Sequence, residues 1–307
     1  MDLLLLGGTA FLGRAIAAQA RDRGMAVTCL ARGSAPTVPG VSFVQADRDA
    51  PAGLAQVYDR TWDAVVDVTR QPGQARRAVA DISARHWVLI STGNVYAAFD
   101  RLEQDESSPT LEPLTSDVMA DMSEYGPAKV ACEEAVRAGQ PSHTIIRSGL
   151  IGGFGDASGR TGYYPWRFAH PTGPDVLVPD DPSFPTAMID VEDLASWTLD
   201  CAERRVQGTF NATGPTMPLS EVLDLARQTA DSPLAPRYVP VETLAEAGVE
   251  AWMGPSSLPL WIDDPTWRFF ATMDTTAARA HGLTTRPVDR TLAEDLRSEE
   301  GRTQESR

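Results

Sequence analysis

The chain has 307 residues, a net charge of −15 and 42% hydrophobic residues. A chain of this length buries about three quarters of the surface that it exposes when unfolded, which predicts one large domain or two intimately packed ones. The acidic charge argues against a general nucleic-acid surface, and no apolar run reaches the roughly 18 residues of a membrane-spanning helix.

The first predicted elements are a buried strand, a glycine turn and a helix. Residues 3–6 are four leucines without polar alternation, which is typical of a strand covered on both faces. Gly-x-x-Ala-x-x-Gly follows, and a helical apolar period starts within it. Free N–H groups at a helix N-terminus bind pyrophosphate, and a glycine before the helix lets the backbone come close to it. The predicted cofactor residues of this turn are Gly7, Thr9, Ala10, Phe11, Leu12 and Gly13.

The second predicted strand, at residues 26–30, ends where a dinucleotide fold reads the 2′ position of the adenosine ribose. An acidic residue there selects the 2′-hydroxyl of NAD, and a basic residue accommodates the 2′-phosphate of NADP. The sequence has Arg32 and no acid at this point, which favours NADP(H) over NAD(H). Asp47, after the third predicted strand, is a candidate to bind the adenine amino group, and Arg48 beside it is placed in the same cofactor site.

The remaining strands and helices alternate along the first two thirds of the chain. A fourth strand should end over the cofactor, with Val68 and Thr69 beside it. This fourth strand is predicted at residues 64–68, further strands at 86–91, 144–147 and 208–212, and helices at 54–58, 74–84, 123–138 and 191–204. Strands separated by helical segments indicate an α/β fold with a Rossmann-type, doubly wound parallel sheet.

Polar residues suited to catalysis follow the fifth strand and open the next helix. Ser91 and Thr92 stand at the end of that strand, and ligands bind at the carboxyl ends of parallel strands. Tyr125 and Lys129 are four residues apart and therefore share one helical face.

In this order, the motifs resemble the extended short-chain dehydrogenase/reductases. The resemblance rests on the glycine turn, Ser91 and Thr92, Tyr125-x-x-x-Lys129, and the segments IIRSGLIGGFGD and PTAMIDVEDLA. More narrowly, the chain is similar to the NAD-dependent epimerase/dehydratase group, in the branch with a Gly-Gly-Thr-x-Phe-Leu-Gly start. Two residues depart from the family pattern: Ala10 replaces a glycine, and Ser148 replaces a proline beside the nicotinamide.

The resemblance implies the chemistry of the site. Tyr125 would be the general acid/base, and Lys129 would hold the nicotinamide ribose and favour the phenolate through its charge. Thr92 or Ser91 would hydrogen-bond the substrate oxygen where charge develops, and that choice stays open. Ser148 is placed among the cofactor contacts.

A smaller, mostly helical substrate-binding region should accompany the Rossmann core. The core is predicted at residues 1–151 and completed by about residues 186–213, and the substrate-binding or lid region at 152–185 and 214–297. Its aromatic residues would form a small core or cover an apolar, ring-bearing substrate. The predicted substrate contacts are Asn94, Tyr96, Tyr163, Tyr164, Trp166 and Trp261. Residues 298–307 are polar and are predicted to be a flexible tail.

The cysteines Cys29, Cys132 and Cys201 are widely spaced, and the opening leucine run is too short for a signal peptide. These features predict a cytoplasmic protein with reduced packing cysteines. Neither the cysteines nor the four histidines have metal-ligand spacing, so no metal site is expected.

Three functions fit the sequence. The leading hypothesis is an NADP-dependent reductase that transfers hydride to or from a carbonyl or alcohol of a small or secondary metabolite. The alternatives are a nucleotide-sugar epimerase or dehydratase with tightly bound NAD(P), and a non-catalytic NADP-sensing or RNA-binding relative. The intact Tyr125-x-x-x-Lys129 and the acidic charge speak against the last. The expected partner is a small molecule, with neither nucleic acid nor membrane, and a homodimer is left open.

Overall fold

The computed structural model describes the backbone of residues 1–305 and the side chains of residues 1–303. The strands are β1 (Asp2–Leu6), β2 (Ala26–Ala31), β3 (Ser42–Gln45), β4 (Thr61–Trp62), β5 (Ala64–Asp67), β6 (Ser83–Ala84), β7 (Trp87–Thr92), β8 (His143–Ser148), β9 (Leu150–Gly152), β10 (Val176–Pro179), β11 (Pro185–Thr186), β12 (Met188–Asp190), β13 (Gly208–Ala212), β14 (Met217–Pro218), β15 (Pro236–Val239), β16 (Glu250–Ala251) and β17 (Ser257–Leu258). The α-helices are α1 (Phe11–Asp22), α2 (Pro72–Asp81), α3 (Tyr125–Gly139), α4 (Tyr163–Ala169), α5 (Val191–Arg204), α6 (Leu219–Thr229), α7 (Val241–Glu246), α8 (Thr276–Ala280) and α9 (Val288–Glu305).

Seven strands form one parallel sheet in the order β13-β8-β7-β5-β1-β2-β3. The chain runs outward from β1 to β3 on one side and then from β5 to β13 on the other. The point where this order reverses lies between β1 and β5, which is where doubly wound sheets bind their ligands. The predicted Rossmann-type α/β sheet is confirmed.

The opening leucines explain why β1 lies at the centre of the sheet. All four are completely buried, and successive side chains of a strand point to opposite faces. Leu3 and Leu5 pack in the core beneath α1 and α5, whereas Leu4 and Leu6 pack in the core beneath α2 and α3. A strand with helices on both faces has no solvent-facing side, so it shows no polar alternation.

A second core lies outside the sheet. Helices α4, α6 and α9 contact one another, and the parallel pair β10–β15 belongs to the same region. Its buried side chains include Tyr164, Phe168, Phe184, Leu223 and Trp261. This region contains the carboxyl-terminal helix, which packs on α4 and α6.

Two segments differ from the sequence prediction. Residues 54–58 form turns rather than a helix, although Leu54 and Val57 are buried. The predicted flexible tail is instead, as far as Glu305, the end of α9, where the Ser298 hydroxyl accepts a hydrogen bond from the Gly155 backbone N–H at 3.0 Å. Residues 306–307 lie outside the described part of the chain. None of the helices in residues 1–305 combines the length and apolar character that a bilayer crossing requires.

Candidate active site

A cavity of about 610 Å³ lies at the carboxyl edge of the sheet. It is lined by residues that end or follow four strands: Gly7 after β1, Val68 after β5, Thr92 at the end of β7 and Ser148 at the end of β8. The carboxyl-terminal third of the chain contributes further lining residues, among them Trp252. The volume and position are those of a small-molecule site in a doubly wound fold.

The turn between β1 and α1 is shaped to let a ligand approach the backbone. Gly7 has a φ of 109°, and a Cβ on it would lie 2.3 Å from Cγ2 of Val68. A Cβ on Gly13 would lie 2.2 Å from the Gly7 carbonyl oxygen. Ala10, the N-cap of α1, supplies no side-chain cap, so the first N–H groups of the helix remain available to an anion. This cradle fits the pyrophosphate of a dinucleotide.

Five of the six residues predicted for this turn line the cavity, and Thr9 is buried beside them. The five are Gly7, Ala10, Phe11, Leu12 and Gly13.

Tyr125 and Lys129 both line the cavity from the first turns of α3. Tyr125 is half-buried, and the Lys129 side chain is 2% exposed. The Lys129 ammonium donates to the backbone carbonyls of Thr69, at 2.6 Å, and Ile90. No carboxylate among residues 1–303 forms an ion pair with this ammonium, so backbone carbonyls alone hold it at the cavity.

Ser91 and Thr92 have different hydrogen-bond partners. The Ser91 hydroxyl donates to Oε1 of Glu133 at 2.6 Å, and Arg147 forms a buried ion pair with the same carboxylate. Burial by itself would raise the pKa of Glu133, but Arg147 and the Ser91 hydroxyl outweigh it and lower that pKa below its ordinary value. The Thr92 hydroxyl donates to Oδ1 of Asn94 at 2.9 Å at the cavity surface. The Ser91 proton is thus committed to a buried carboxylate.

Arg48 lies elsewhere than predicted. Its guanidinium makes two hydrogen bonds to the Asp67 carboxylate, at 2.7 and 2.8 Å, and a third to the Gln74 carbonyl. Arg48 is 8% exposed and Asp67 is fully buried at the end of β5. The guanidinium therefore neutralises a carboxylate beneath the strand ends and does not face the cavity.

Three other predicted cofactor residues, Arg32, Asp47 and Thr69, are not among the residues that line the cavity. Arg32 is exposed just after β2, and Asp47 is exposed and accepts a hydrogen bond from the Asp49 N–H. Thr69 is buried; its hydroxyl donates to Gln74, and its carbonyl holds Lys129. These contacts make Thr69 a support for Lys129.

Four of the six predicted substrate contacts line neither this cavity nor the smaller one beside it. The Tyr96 hydroxyl donates to Oδ1 of Asn211 at 2.6 Å in a buried position. Tyr164 and Trp261 belong to the second core, and Trp166 stacks on His170 with centroids 3.8 Å apart. Tyr164 and Trp261 are unavailable to a ligand in the cavity because both are packed among the apolar side chains of the second core. Asn94 lines the main cavity, and Tyr163 lines a smaller cavity that adjoins it.

No family model matches the sequence, and no curated protein does. Solved structures match nearly the whole chain. The UDP-N-acetylglucosamine 4-epimerase from Bacillus cereus is 17% identical, with a TM-score of 0.70 over 98% of this chain and 97% of its own. The UDP-Glc/GlcNAc 4-epimerase from Campylobacter jejuni is 14% identical, with a TM-score of 0.71 over 98% and 99%. WbmH from Bordetella bronchiseptica, solved with NAD+, is 16% identical, with a TM-score of 0.71 over 97% and 98%.

The chain shares the fold of these three solved proteins. At these identities the likeness establishes the fold, and the resemblance inferred from the motifs is confirmed at that level. Within this fold, the sequence prediction missed several residues of the cavity. Tryptophans and methionines are concentrated in residues 252–273, but only packing decides which of them face the cavity. The missed lining residues include Met122, Asp156, Phe270 and Met273, whereas Arg70, Arg160, Trp252 and Met253, which also line the cavity, lie in segments that the sequence had indicated.

Asp295, on α9, lies outside the seven-stranded sheet and hydrogen-bonds the backbone next to the cavity. It is 2% exposed, and its Oδ1 accepts the Gly153 N–H at 2.9 Å, next to the lining residues Ile151 and Asp156. Burial raises the pKa of Asp295 to about 7 from an ordinary value of 3.8. Below pH 3.8 the carboxyl is protonated in both the folded and unfolded chains, so the penalty is absent there. The loss of stability grows as the pH rises from 3.8 to about 7, and at higher pH it stays at its full value.

Asp295→Asn should therefore remove a loss of stability on the order of a few kcal/mol between pH 4 and pH 8. Urea unfolding at pH 5 and pH 8 measures it: the difference between the two pH values should shrink in the variant. Asp224→Asn, at a carboxylate that is 61% exposed, is the control and should leave the wild-type pH dependence in place. Equal pH dependence in wild type and Asp295→Asn would contradict the assignment.

Proposed function

We propose that this protein is an NAD(P)-dependent enzyme of the epimerase/dehydratase type, acting on a hydroxyl-bearing carbon of a small molecule. One observation carries the proposal: Tyr125, Lys129 and Thr92 line the same cavity as the uncapped glycine turn. The two solved 4-epimerases of the same fold support this reaction type over net reduction.

The cofactor would be held by the residues that line the cavity at the carboxyl end of β1. The N-terminus of α1 would bind the pyrophosphate, and Val68 and Ser148 would contact the nucleoside and nicotinamide portions. When bound, a nicotinamide nucleotide supplies the hydride acceptor for oxidation and the hydride donor for reduction.

The proton is handled by the chain itself. The Tyr125 phenolate accepts the proton of the substrate hydroxyl when the carbon is oxidised, and the phenol returns it when the carbonyl is reduced. The Lys129 ammonium would hold the nicotinamide ribose, and the Thr92 hydroxyl would hydrogen-bond the substrate oxygen. Thr92 is preferred to Ser91 in this role because its hydroxyl partner is the neutral amide of Asn94, itself a lining residue, whereas the Ser91 hydroxyl donates to the buried carboxylate of Glu133.

A net reductase is the second candidate. The exposed Arg32 after β2, with no acid in its place, favours NADP(H), and NADP(H) commonly serves reductive chemistry. The two candidates share the site and differ in whether the cofactor is regenerated within each turnover.

The test follows cofactor and product together. The purified protein is stripped of nucleotide and reloaded with NAD+ or NADP+, and a panel of nucleotide sugars and hydroxy acids is examined for inversion at a hydroxyl carbon. The proposal predicts inversion that needs the nucleotide but leaves its redox state unchanged. Continuous NADPH oxidation with equal formation of an alcohol from a carbonyl panel would instead establish the reductase.

Arg32→Ala tests the cofactor preference. A charge-assisted contact to the 2′-phosphate contributes roughly 1.5–3 kcal/mol, so NADPH should bind about one to two decades more weakly and NADH nearly as before. Fluorescence titration of both cofactors measures it. Arg290→Ala, at another exposed arginine, is the matched control and should change neither affinity. Tighter NADH than NADPH binding by the wild type would overturn the preference.

A further inference from the structure

A second cavity, of about 420 Å³, adjoins the main one, and Arg160, Trp252 and Met253 line both. We propose that it binds the distal part of an elongated substrate: an apolar ring or chain that carries one anionic group. Arg160 would pair with the anion, and Trp252 would pack against the apolar part. The inference rests on the proposed function, because the proximal end of the same substrate would reach Tyr125.

Arg160 is a cation without a carboxylate partner. Its Nε donates to the Ser158 hydroxyl at 3.3 Å, and its guanidinium carbon lies 5.3 Å from the centroid of the Trp252 ring. No carboxylate among residues 1–303 forms an ion pair with it, although the chain carries a net charge of −15 and many of its arginines are paired. A half-buried, unpaired guanidinium facing a cavity favours an anionic ligand.

Trp252 is held in place at the junction of the two cavities. Its φ is 68°, a left-handed conformation that is rare for a bulky residue. The indole ring packs edge-on against Phe270, with centroids 5.3 Å apart, and the backbone N–H of Trp252 donates to the Leu258 carbonyl. Strain of this kind persists where the surrounding structure requires it, and it is concentrated at ligand sites.

The rest of the second cavity is mainly apolar. Its lining includes Met253, Pro255 and Pro259, with Tyr163 on α4, and Arg160 is its one cation among the described lining residues. A nucleoside diphosphate carries two phosphates and would leave one without a counter-ion here. A single carboxylate, sulfonate or phosphate on an apolar body matches this lining better.

The test uses anilinonaphthalene sulfonate as an anionic, ring-bearing probe and N-phenylnaphthylamine as its neutral counterpart. Both are titrated by fluorescence into the whole protein, with and without saturating NAD+ or NADP+. Arg160→Met should weaken the sulfonate by roughly tenfold or more and leave the neutral probe and the cofactor unchanged. Arg237→Met, at an exposed arginine paired with Asp175, should change nothing.

A second pair of variants tests the packing surface. Trp252→Leu should weaken both probes, and Trp252→Phe, which keeps a ring, should restore most of the affinity. Circular dichroism of each variant checks that it is folded.

An unchanged affinity for the sulfonate probe in Arg160→Met would overturn the proposal. Displacement of the probe by UDP in the wild type but not in Arg160→Met would overturn it as well. A cofactor affinity that falls with Arg160→Met would assign the guanidinium to the cofactor instead. Failure of the proposed function is distinguishable from these results, because it would appear as a protein that binds the probes but neither nucleotide.

Discussion

Replacing Tyr125 by Phe should lower turnover by on the order of 10²–10⁴-fold while leaving cofactor affinity unchanged. The substitution keeps the ring that lines the cavity and removes only the oxygen that exchanges a proton with the substrate. A positioned acid/base contributes a factor of this size. Steady-state kinetics on the substrate found by the inversion assay, with cofactor titration in parallel, gives both quantities.

Tyr96→Phe is the matched control. The Tyr96 hydroxyl is bonded to Asn211 in a buried position, so its loss should cost about 1 kcal/mol of stability and change turnover by no more than a few-fold. Thr92→Val and Ser91→Ala separate the two hydroxyls: the first should lower turnover, and the second should mainly lower stability. Turnover of Tyr125→Phe within a few-fold of wild type would assign the proton to another group.

Replacing Arg48 by Met should cost about 3–5 kcal/mol of unfolding free energy, the usual effect of removing one partner of a buried ion pair. Asp67 is fully buried and would lose both guanidinium hydrogen bonds. Asp67 also accepts the N–H of Thr69, whose carbonyl accepts a hydrogen bond from Lys129, so loosening this strand end should also shift the Lys129 ammonium.

Urea unfolding measures the loss, and Arg48→Met combined with Asp67→Asn should recover part of it because no buried charge is then left alone. Arg60→Met is the control: its pair with Asp2 is almost half exposed on both sides and should contribute less than about 1 kcal/mol. A stable Arg48→Met variant with weak cofactor binding would restore Arg48 to the cofactor site.

Local patterns were sufficient for the features that depend on near neighbours in the chain. The leucine run of β1, the glycine turn and the spacing of Tyr125 and Lys129 each reflect a period or a backbone conformation set within a few residues. These features predicted the central strand and the side of the cavity formed by the glycine turn and α3. Helices between parallel strands leave few topologies, but the strand order itself came from the structure.

Only the tertiary structure decided which side chains face the cavity on the substrate side. Arg48, in the turn after β3, pairs with Asp67 at the end of β5, and Tyr96 bonds Asn211, more than a hundred positions away. Trp261 fills a core, whereas Trp252 lines the cavity. Residues 298–305 are polar, yet they belong to α9. The Ser298 hydroxyl accepts the Gly155 N–H, and Arg302 donates to the Asp156 carbonyl, so this end of the helix is held against the loop after β9. An aromatic or charged residue has the same sequence signature in a core and at a ligand, and the choice depends on partners brought together by the fold.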